Sequence, residues 1–447
     1  MLNLPEHKLN LLVIGAGGRE HALVWKLAQS PAVGSILCAP GNGGTAGASK
    51  AKNIAVLNRA EDFAALAETC KSEKIDLVVV GPDNPLAEGI VDYLTAHGIR
   101  TFGPTKEQAK LEWSKAHAKR FMKRIGLPTA RYAEFDNLDD ALNTVREYDW
   151  ARVIKVDGLA LGKGVFVCDS EEEAETALRT IFEDKTFGDA GHKVVIEEKL
   201  VGEEISLLML VDGKTLKVLE PCQDHKRRFD GDRGPNTGGM GAYSPVDAFK
   251  DLDAVIEKTI IMPLKRALEE GTLDFKGVLY AGLLIGASET SGNVGRVRTP
   301  YVLEFNARFG DPETQALMPR LDCDLLPLLW ACTSGQLSET ELKWSADKSC
   351  CVVAVADKYP AASANSKDQP ISISALPDRC VLFHAGTRAE AGKVYTNGGR
   401  VLSIVALAPS MEAASELAYK GLQSVSFNGL EFRRDIARRA FKACLSS

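Results

Sequence analysis

An apolar run that ends in a glycine turn occurs three times before residue 104, and this pattern constrains the fold more than any other feature. The runs are "LNLLVIGAGGREHALVWKLAQS", "SILCAPGNGGTA" and "KIDLVVVGPDNPLAEGIVDYL". In the first and third, helical spacing of apolar residues follows the turn. Valine-rich strands that alternate with helices are typical of a parallel sheet covered on both faces. The sequence therefore predicts an α/β chain that begins with a Rossmann-like, parallel-sheet domain.

Length and composition indicate a soluble chain of several domains. With 447 residues and about 150 residues per domain, we expect about three domains. A formal charge of −6 disfavours nucleic-acid or anionic-membrane partners, which select a basic surface. The ten cysteines form no CxxC pair, so free thiols in a reducing compartment are expected. No signal peptide or membrane-spanning run is visible, and a cytoplasmic location is predicted.

The rest of the chain divides by pattern. A helix is predicted from about Lys106 to Ile125. Short strands and one helix follow in a small, lid-like insertion, and longer strands and a helix near 250–270 then indicate a central sheet. Strands return in a final α+β region. The predicted domains are residues 1–104, a central domain of 105–125 with 195–330, a lid of 126–194, and a C-terminal domain of 331–447.

The first glycine turn, "GAGGREH", is a candidate phosphate site, because backbone N–H groups at a helix N-terminus attract anions. It is not a complete dinucleotide fingerprint. Glu20 stands where the third glycine belongs, and no acidic residue follows before Glu61. A phosphosugar site fits better, with a ligand-free turn as the alternative. In the later turn "GPDNPLAEG", Asp83 or Asn84 could bind sugar hydroxyls or simply form the turn.

Two further stretches suit a nucleotide. "IKVDGLALGKGV" places Lys155 on a strand beside a glycine loop that carries Lys163. A fixed charge below and a movable cover above suit a polyphosphate, although this is not a Walker A loop. In "VIEEKLVGEEIS", a connector could meet an adenine edge and Glu204 could bind the ribose. Solvated side chains are the alternative reading of both stretches.

The strand "YVLEFNARFGDPETQ" is the strongest candidate for a metal site. Glu304 and Asn306 are two residues apart, so both side chains leave the same face. A carboxylate and an amide oxygen side by side suit Mg²⁺ bridging phosphates. Arg308 could bind a carboxylate or phosphate through two hydrogen bonds. The alternative is a structural Glu304–Arg308 ion pair.

The stretch "QDHKRRFDGDRGPNTGGMGAYSP", residues 223–245, is rich in charge and then in glycine. This composition predicts irregular backbone rather than helix or strand. We expect it to line the meeting point of the substrates, since glycines let backbone N–H groups approach a ligand closely. A mobile surface loop is the alternative.

Together these motifs resemble the glycinamide ribonucleotide synthetase (phosphoribosylamine–glycine ligase) family of ATP-grasp enzymes. The likeness extends from residue 12 to about residue 402. It is most specific in "GPNTGGMGAYSP" and "FNARFGDPETQ", and "HAGT" and "TNGGRVL" also match. It implies an N-terminal pre-ATP-grasp domain for the phosphosugar, an ATP-grasp domain with a lid, and a C-terminal domain. The chain departs from the family pattern at Asp83, Trp113, His117 and Leu161.

The resemblance also implies roles for individual residues. The expected catalytic residues are Arg308, Lys226 and Asp224, and Glu304 and Asn306 are expected to hold Mg²⁺ or Mn²⁺. ATP would contact Lys115, Lys155, Gly162, Lys163, Gly164, Glu197, Glu198, Leu200 and Glu204. The substrates would contact Gly17, Gly18, Arg19, Glu20, Asn42, Gly43, Asp83, His225, Arg227, Asn236, Thr237, Gly238, Gly239, Met240, Gly310 and Asp311.

The implied reaction ligates glycine to 5-phosphoribosylamine in purine biosynthesis, with ATP converted to ADP and phosphate. A carboxylate does not react with an amine at neutral pH, so a glycyl phosphate is the expected activated form. Small molecules are the expected partners, and the chain is expected to be a monomer or a weak homodimer. Alternatives are another ATP-grasp or biotin-dependent ligase, a nicotinamide-dependent oxidoreductase suggested by the first glycine turn, and a catalytically silent nucleotide sensor.

Overall fold

The first hundred residues form a five-stranded parallel sheet with helices packed against it. The strand order is β3-β2-β1-β4-β5, and each neighbouring pair is parallel. This computed structural model describes residues 4–158, 164–187, 191–288 and 297–443. The elements are β1 (Leu9–Gly15), α1 (Gly18–Ala28), β2 (Val33–Pro40), β3 (Ala51–Asn53), α2 (Phe63–Ser72), β4 (Leu77–Val80), α3 (Asp83–Glu88), α4 (Ile90–Ala96) and β5 (Thr101–Phe102). The predicted parallel sheet is confirmed.

Two short helices, α5 (Lys110–Trp113) and α6 (Lys115–Arg124), lead into the lid. The prediction of one continuous helix here is wrong, because Ser114 has an extended backbone and its hydroxyl caps α6 by accepting from the His117 N–H. The break brings Lys115 to the start of a helix beside the central sheet.

The lid has a small four-stranded sheet of its own, in the order β6-β9-β7-β8. Its two helices cover one hydrophobic cluster that is separate from the main core. Only one helix was predicted, and the helix at 138–147 was missed. The elements are β6 (Tyr132–Phe135), α7 (Leu138–Glu147), β7 (Ala151–Val156), β8 (Val165–Val167), α8 (Glu171–Phe182) and β9 (Val194–Glu198).

The central sheet is antiparallel, in the order β11-β10-β16-β17. The long helix expected near 250–270 is present, with a π-helical segment at Glu257–Ile261 between α9 and α10. The elements are β10 (Gly202–Asp212), β11 (Leu216–Val218), α9 (Asp253–Ile256), α10 (Met262–Glu269), β16 (Lys276–Ser288), β17 (Val297–Asn306), α11 (Glu313–Leu317) and α12 (Leu325–Ser334).

The glycine-rich stretch 223–245 is not irregular throughout, as was predicted. It contains four short strands, β12 (Gln223–Asp224), β13 (Arg227–Phe229), β14 (Arg233–Asn236) and β15 (Gly241–Ser244). β13 and β14 form a hairpin, whereas β12 and β15 join the sheet of the C-terminal region. Tertiary pairing therefore gives strand structure to residues whose side chains do not favour it.

The C-terminal region contains two sheets, in the orders β12-β15-β18-β23-β20 and β21-β22-β19-β24. One continuous hydrophobic core runs from the N-terminal sheet through the central sheet to this region. The elements are β18 (Lys348–Ala356), β19 (Lys367–Ile373), β20 (Cys380–His384), β21 (Thr387–Glu390), β22 (Lys393–Asn397), β23 (Arg400–Ala408), α13 (Met411–Leu422), β24 (Val425–Ser426), β25 (Leu430–Glu431) and α14 (Arg438–Ala443).

Across the described part of the chain, the helices are too short or too polar to cross a membrane. The nine cysteines within those residues are free thiols, as predicted for this portion of the chain.

Candidate active site

A cavity lies where the central sheet meets the start of the glycine-rich stretch. Its lining includes Glu204, Asp224, Lys226, Tyr280 and Glu304. The Lys226 ammonium lies 3.5 Å from Asp224 Oδ2 and 4.0 Å from Glu204 Oε2. Of the four residues Asp224, His225, Lys226 and Arg227 that were predicted to face the substrates, Asp224 and Lys226 line this cavity.

The Glu304 carboxylate lies in a strongly positive environment. Burial favours its neutral form, but Lys115, Lys226, Lys155 and Arg308 together outweigh burial and lower the pKa of Glu304 to about 2. The nearest of these cations is the Lys115 ammonium, 3.8 Å from Glu304 Oε2. Four cations therefore act on the Glu304 carboxylate, and such fixed positive charges suit a polyphosphate.

Arg308 forms its ion pair with Glu112. The alternative of a structural Glu304–Arg308 ion pair is therefore wrong. The Arg308 guanidinium lies 2.8 Å from Glu112 Oε1 and donates to Asn306 Oδ1 at 3.0 Å. Glu112 also accepts from the Ala307 N–H at 2.8 Å. The Nε of Arg308 is buried without a hydrogen-bond partner, which leaves one donor for a ligand.

These groups fit a divalent cation bound with phosphates. Asn306 Oδ1 and the Glu304 carboxylate are hard oxygen ligands on one edge of β17. No cluster of three or more His, Cys, Asp or Glu side chains suited to a metal occurs among the residues that the structure describes. Two protein ligands are nevertheless enough for Mg²⁺, which usually completes its shell with water and substrate phosphates.

The Lys155 side chain is buried and lies on the lid sheet next to Glu197. Glu197 Oε1 lies 2.9 Å from Lys155 Nζ, and Glu197 Oε2 lies 2.8 Å from Lys119 Nζ. Glu197 was predicted to meet the adenine through the connector, and its side chain pairs with these two lysines. Glu198 and Leu200 lie at and just after the end of β9, where the lid leads back to the central sheet, and both are half-buried.

The predicted lid loop is only partly described. Gly164 lies immediately before β8, while Gly162 and Lys163, with Leu161, lie outside the described residues.

A second polar cluster surrounds the first glycine turn. A Cβ on Gly18 would lie 2.5 Å from Gln315 Nε2, and one on Gly17 would lie 3.2 Å from Asp311 Oδ2. Asp311 Oδ1 accepts from Gln315 Nε2 at 2.7 Å, and the Arg400 guanidinium lies 3.3 Å from Asp311 Oδ2. The N-terminal turn, the central domain and the C-terminal region therefore meet at this point.

The glycine-rich stretch reaches the same cluster. A Cβ on Gly239 would lie 2.5 Å from Pro312 Cδ and 2.8 Å from Asp224 Oδ1. Gly238 donates its N–H to Tyr359 and accepts from Arg400 through its carbonyl. This stretch therefore joins the cavity around Glu304 to the glycine turn of the first domain.

Some predicted substrate residues are already used within the protein. Glu20 Oε2 accepts from the Gly17 N–H at 2.6 Å, and Arg19 donates to Phe309 O at 3.0 Å. The Asn42 amide donates to Ala16 O and His384 O, and the Gly43 N–H donates to Thr387 O. Asn42 and Gly43 therefore connect the first domain to the C-terminal region.

Other predicted residues are not brought to the cavity. His225 is buried, and its Nδ1 lies 3.3 Å from Gly241 O, on the side opposite Asp224 and Lys226. Met240 is fully buried in the core. Alternation along an extended backbone explains why neighbours of cavity residues face elsewhere.

The remaining predicted positions lie around these two clusters. Arg227 donates to Gly234 O within the hairpin, and Asn236 is exposed on β14. Thr237 donates to Lys226 O at 2.9 Å. Asp83 begins α3, and its charge contributes to raising the pKa of Glu112 after the larger effect of burial.

Gly310 precedes a buried carboxylate that the sequence analysis did not assign. A Cβ on Gly310 would lie 2.4 Å from Glu313 Oε2. Glu313 Oε1 accepts from Ser206 at 2.9 Å and Tyr280 at 2.7 Å.

Comparison with known families agrees with this architecture. Residues 9–112 match the phosphoribosylglycinamide synthetase N domain, residues 113–314 its ATP-grasp (A) domain, and residues 349–439 its C domain.

The chain belongs to the phosphoribosylglycinamide synthetase family.

Full-length relatives of the phosphoribosylglycinamide synthetase family align with almost the whole chain. A phosphoribosylamine–glycine ligase of Ralstonia nicotianae is 45% identical over 435 residues, which cover 97% of this chain and 100% of that protein. The trifunctional purine biosynthetic protein adenosine-3 of Gallus gallus is 45% identical over 433 residues. Those residues are 96% of this chain but only 42% of that longer protein.

Solved structures confirm the predicted ATP-grasp architecture. A phosphoribosylamine–glycine ligase from Thermotoga maritima has a TM-score of 0.77 at 32% identity, covering 96% of this chain and 100% of that one. The biotin carboxylase domain of Hydrogenobacter thermophilus 2-oxoglutarate carboxylase, solved with MgADP, has a TM-score of 0.71. It is 17% identical and covers 96% of this chain and 92% of that one, so it shares the fold alone. The predicted family and fold class are confirmed.

Sequence analysis missed several polar residues of the phosphoribosylglycinamide synthetase site. Three have no motif of their own and are recognised only by contact: Glu112 with Arg308, Lys119 with Glu197, and Arg400 with Asp311. Glu313 and Gln315 lie within the quoted stretch "FGDPETQ". Helical spacing, four residues from Asp311, could have identified Gln315 as its partner beside the glycine turn.

Proposed function

We propose that this chain ligates glycine to 5-phosphoribosylamine, forming glycinamide ribonucleotide through a glycyl phosphate, with ATP converted to ADP and phosphate. The observation that carries the proposal is the 45% identity with a phosphoribosylamine–glycine ligase over 97% of the chain. The reaction fits the site, because several cations surround Glu304, and Glu304 and Asn306 offer two oxygen ligands on the same strand. The proposed metal is Mg²⁺ or Mn²⁺, and the proposed location of the enzyme is the cytoplasm.

When bound, ATP would supply the phosphoryl group that activates the glycine carboxylate, and the metal would neutralise phosphate charge. Glu304 and Asn306 would hold the metal, and Lys115 and Lys155 would bind the phosphates. Arg308 would use its free Nε toward a carboxylate or phosphate. Fixed cations of this kind act mainly by stabilising charge that moves during phosphoryl transfer.

Asp224 is the group in the cavity best suited to accept a proton from the attacking amine. Burial, opposed by the neighbouring Lys226, raises the pKa of Asp224 to about 7. Its Oδ1 is buried without a hydrogen-bond partner. A base with a pKa near the working pH combines a useful deprotonated fraction with real proton affinity.

The phosphosugar is proposed to bind at the first glycine turn, between Gly17, Gly18 and the loop at Gly238 and Gly239. Glycines without side chains let the ligand approach the backbone closely, and Arg400 supplies a nearby cation. Residues from three regions would enclose the substrates, which would limit hydrolysis of an activated carboxyl group by water.

The proposal is tested by ADP release with purified protein, Mg²⁺, ATP and each amino acid, with and without 5-phosphoribosylamine. ADP is expected to form rapidly only when both glycine and the phosphorylated sugar amine are present. Glu304→Gln is the matched variant, because it keeps the side-chain shape but removes the charge of the proposed metal ligand. Faster turnover with another amino acid would instead indicate a different carboxylate–amine ligase.

A further inference from the structure

Lys119 is a buried lysine with no role so far. It lies on α6, and its side chain is 2% exposed. Its ammonium lies 2.8 Å from Glu197 Oε2 and donates to Thr129 Oγ1 at 2.8 Å. Thr129 in turn donates to Val302 O on the central sheet at 2.6 Å. Lys119 is therefore fixed to the central domain and also paired with a lid residue.

The other oxygen of the same carboxylate holds Lys155. Glu197 Oε1 lies 2.9 Å from Lys155 Nζ, and the Glu197 side chain is only 3% exposed. Lys155 also donates to Leu303 O at 3.4 Å, next to the proposed metal ligand Glu304. One buried carboxylate thus lies between two buried ammonium groups, one from the central domain and one from the lid.

This arrangement leaves one positive charge that the carboxylate does not neutralise. A single Glu197 cannot balance both lysines. Glu304 also attracts both ammonium groups, and Glu204 attracts Lys155. When the proposed metal engages Glu304, Lys155 keeps only part of its counter-charge. Burying an ammonium in that state is costly, so an added anion beside Lys155 is favoured. If Lys119 were uncharged, Glu197 would pair fully with Lys155 and the surplus would disappear.

We propose that Lys119 is a positioning residue for nucleotide binding, which shares Glu197 with Lys155 and so keeps Lys155 available to a phosphate. This inference rests on the proposed function, because it takes the anion beside Lys155 to be a nucleotide phosphate. The inference goes beyond the proposed function because it assigns a role to Lys119 and a separate role to the Glu197 side chain.

The same contact joins two parts of the fold. Glu197 is on β9 and Lys155 on β7 of the lid sheet, whereas Lys119 is on α6. The lid has its own hydrophobic cluster, so polar contacts such as this one hold its phosphate-binding lysine in register with the central sheet.

The test is calorimetric binding of ADP with Mg²⁺, and of adenosine, to the whole protein and its variants. Lys119→Met is expected to weaken ADP binding about tenfold, the size of one hydrogen bond to a charged group. Adenosine has no phosphate, so its affinity is expected to stay within about twofold. Lys123→Met is the matched control, one turn along the same helix and exposed, and it is expected to bind both ligands as the wild type does.

Two further variants test whether Lys119 acts through its charge and through Glu197. Lys119→Gln keeps a polar head group without the charge and replaces the Met variant if that one does not fold; the same loss of ADP affinity is expected. Glu197→Gln removes the carboxylate that Lys119 shares with Lys155. In that background Lys119→Met should change ADP affinity by less than about twofold, because Lys119 would act only through Glu197.

Two results in the Lys119 variants would overturn the inference, because each would show that the lysine is purely structural. One is an equal loss of ADP and adenosine affinity, and the other is unchanged ADP affinity with a lower melting temperature. A wild-type protein that binds no ADP at all would instead remove the proposed nucleotide site.

Discussion

At the scale of single residues, the site is defined by buried charges whose partners come from distant parts of the chain. Glu112 and Arg308, and Lys119 and Glu197, are close pairs between different elements. Removing one member of such a pair leaves the other charge buried and unpaired, which is costly. These residues therefore constrain both stability and chemistry.

Lys226→Ala tests the cavity at this scale. Lys226 is about one-third exposed. Its buried partner Asp224, whose pKa burial raises to about 7, can take up a proton when the ammonium is lost. The free energy of unfolding should therefore change by no more than about 1 kcal/mol. Turnover should fall about 10²–10³-fold, because a cation facing the reacting groups is lost. ADP release and urea denaturation measure the two effects.

Arg233→Ala is the control for the Lys226 variant, since Arg233 is an exposed cation of the same stretch. Equal rates for Lys226→Ala and the wild type would remove Lys226 from the site.

At the scale of elements, the glycine-rich stretch connects the domains because its backbone approaches its neighbours closely. Gly239 has φ +110° and lies against Pro312. The hairpin β13–β14 is held by the segment before α14, where Arg433 donates to Arg227 O and Asp232, and Asp435 accepts from the Gly231 N–H. The position of the β13–β14 hairpin therefore depends on a C-terminal segment that is far away in the sequence.

Gly239→Ala should destabilise the protein in two ways. The left-handed backbone costs roughly 1–2 kcal/mol for a residue with a Cβ, and the added carbon would lie 2.5 Å from Pro312 Cδ. Gly271→Ala is the matched control, with φ +70° and no atom within 4 Å of the new carbon. Urea denaturation should show a clearly larger loss for Gly239→Ala, and equal losses would contradict the close approach.

Arg433→Met should loosen the hairpin. Arg433 is 1% exposed and pairs with Asp435 at 2.8 Å, so its removal leaves a carboxylate without its main partner. The expected loss is about 3–5 kcal/mol in the free energy of unfolding. Arg434→Met, the exposed neighbour, should have little effect in the same denaturation experiment. Similar free energies of unfolding for the two variants would show that the Arg433–Asp435 ion pair adds no stability.

At the scale of the whole molecule, the N-terminal, central and C-terminal regions share one hydrophobic core, whereas the lid has its own. Buried histidines lie where the outer regions meet. The His384 N–H donates to His21 Nδ1 at 2.9 Å. Unfolding of any one of the three regions would therefore expose the others.

Stability should decrease as the pH falls below about 6.5. Burial, together with His384, lowers the pKa of His21 to about 3, and burial lowers the pKa of His384 to about 4. His225 is lowered to about 3 by burial and by Arg439 and Arg433. The unfolded chain binds these protons first, so each histidine costs about 1.4 kcal/mol per pH unit between about pH 6 and 4.

Asp224 acts in the opposite sense, because its raised pKa of about 7 makes the folded state bind a proton before the unfolded chain does. The net slope of the free energy of unfolding against pH should therefore correspond to about two histidines. Melting temperatures measured from pH 7.5 to 5 check this. His384→Gln should show a shallower decline, whatever its value at pH 7.5, and a slope equal to that of the wild type would exclude His384 as a source.

Sequence by itself determined the parallel sheet of the first domain, the family and the pair Glu304 and Asn306 on one strand face. Those features depend on local periodicity and on residues close together in the chain, which the sequence displays directly. Tertiary structure alone decided that residues 223–245 form strands, that His225 faces away from the cavity, and that Glu197 lies between Lys119 and Lys155. These depend on contacts between residues far apart in the chain, and the cost of burying a charge selects partners that no local pattern reveals.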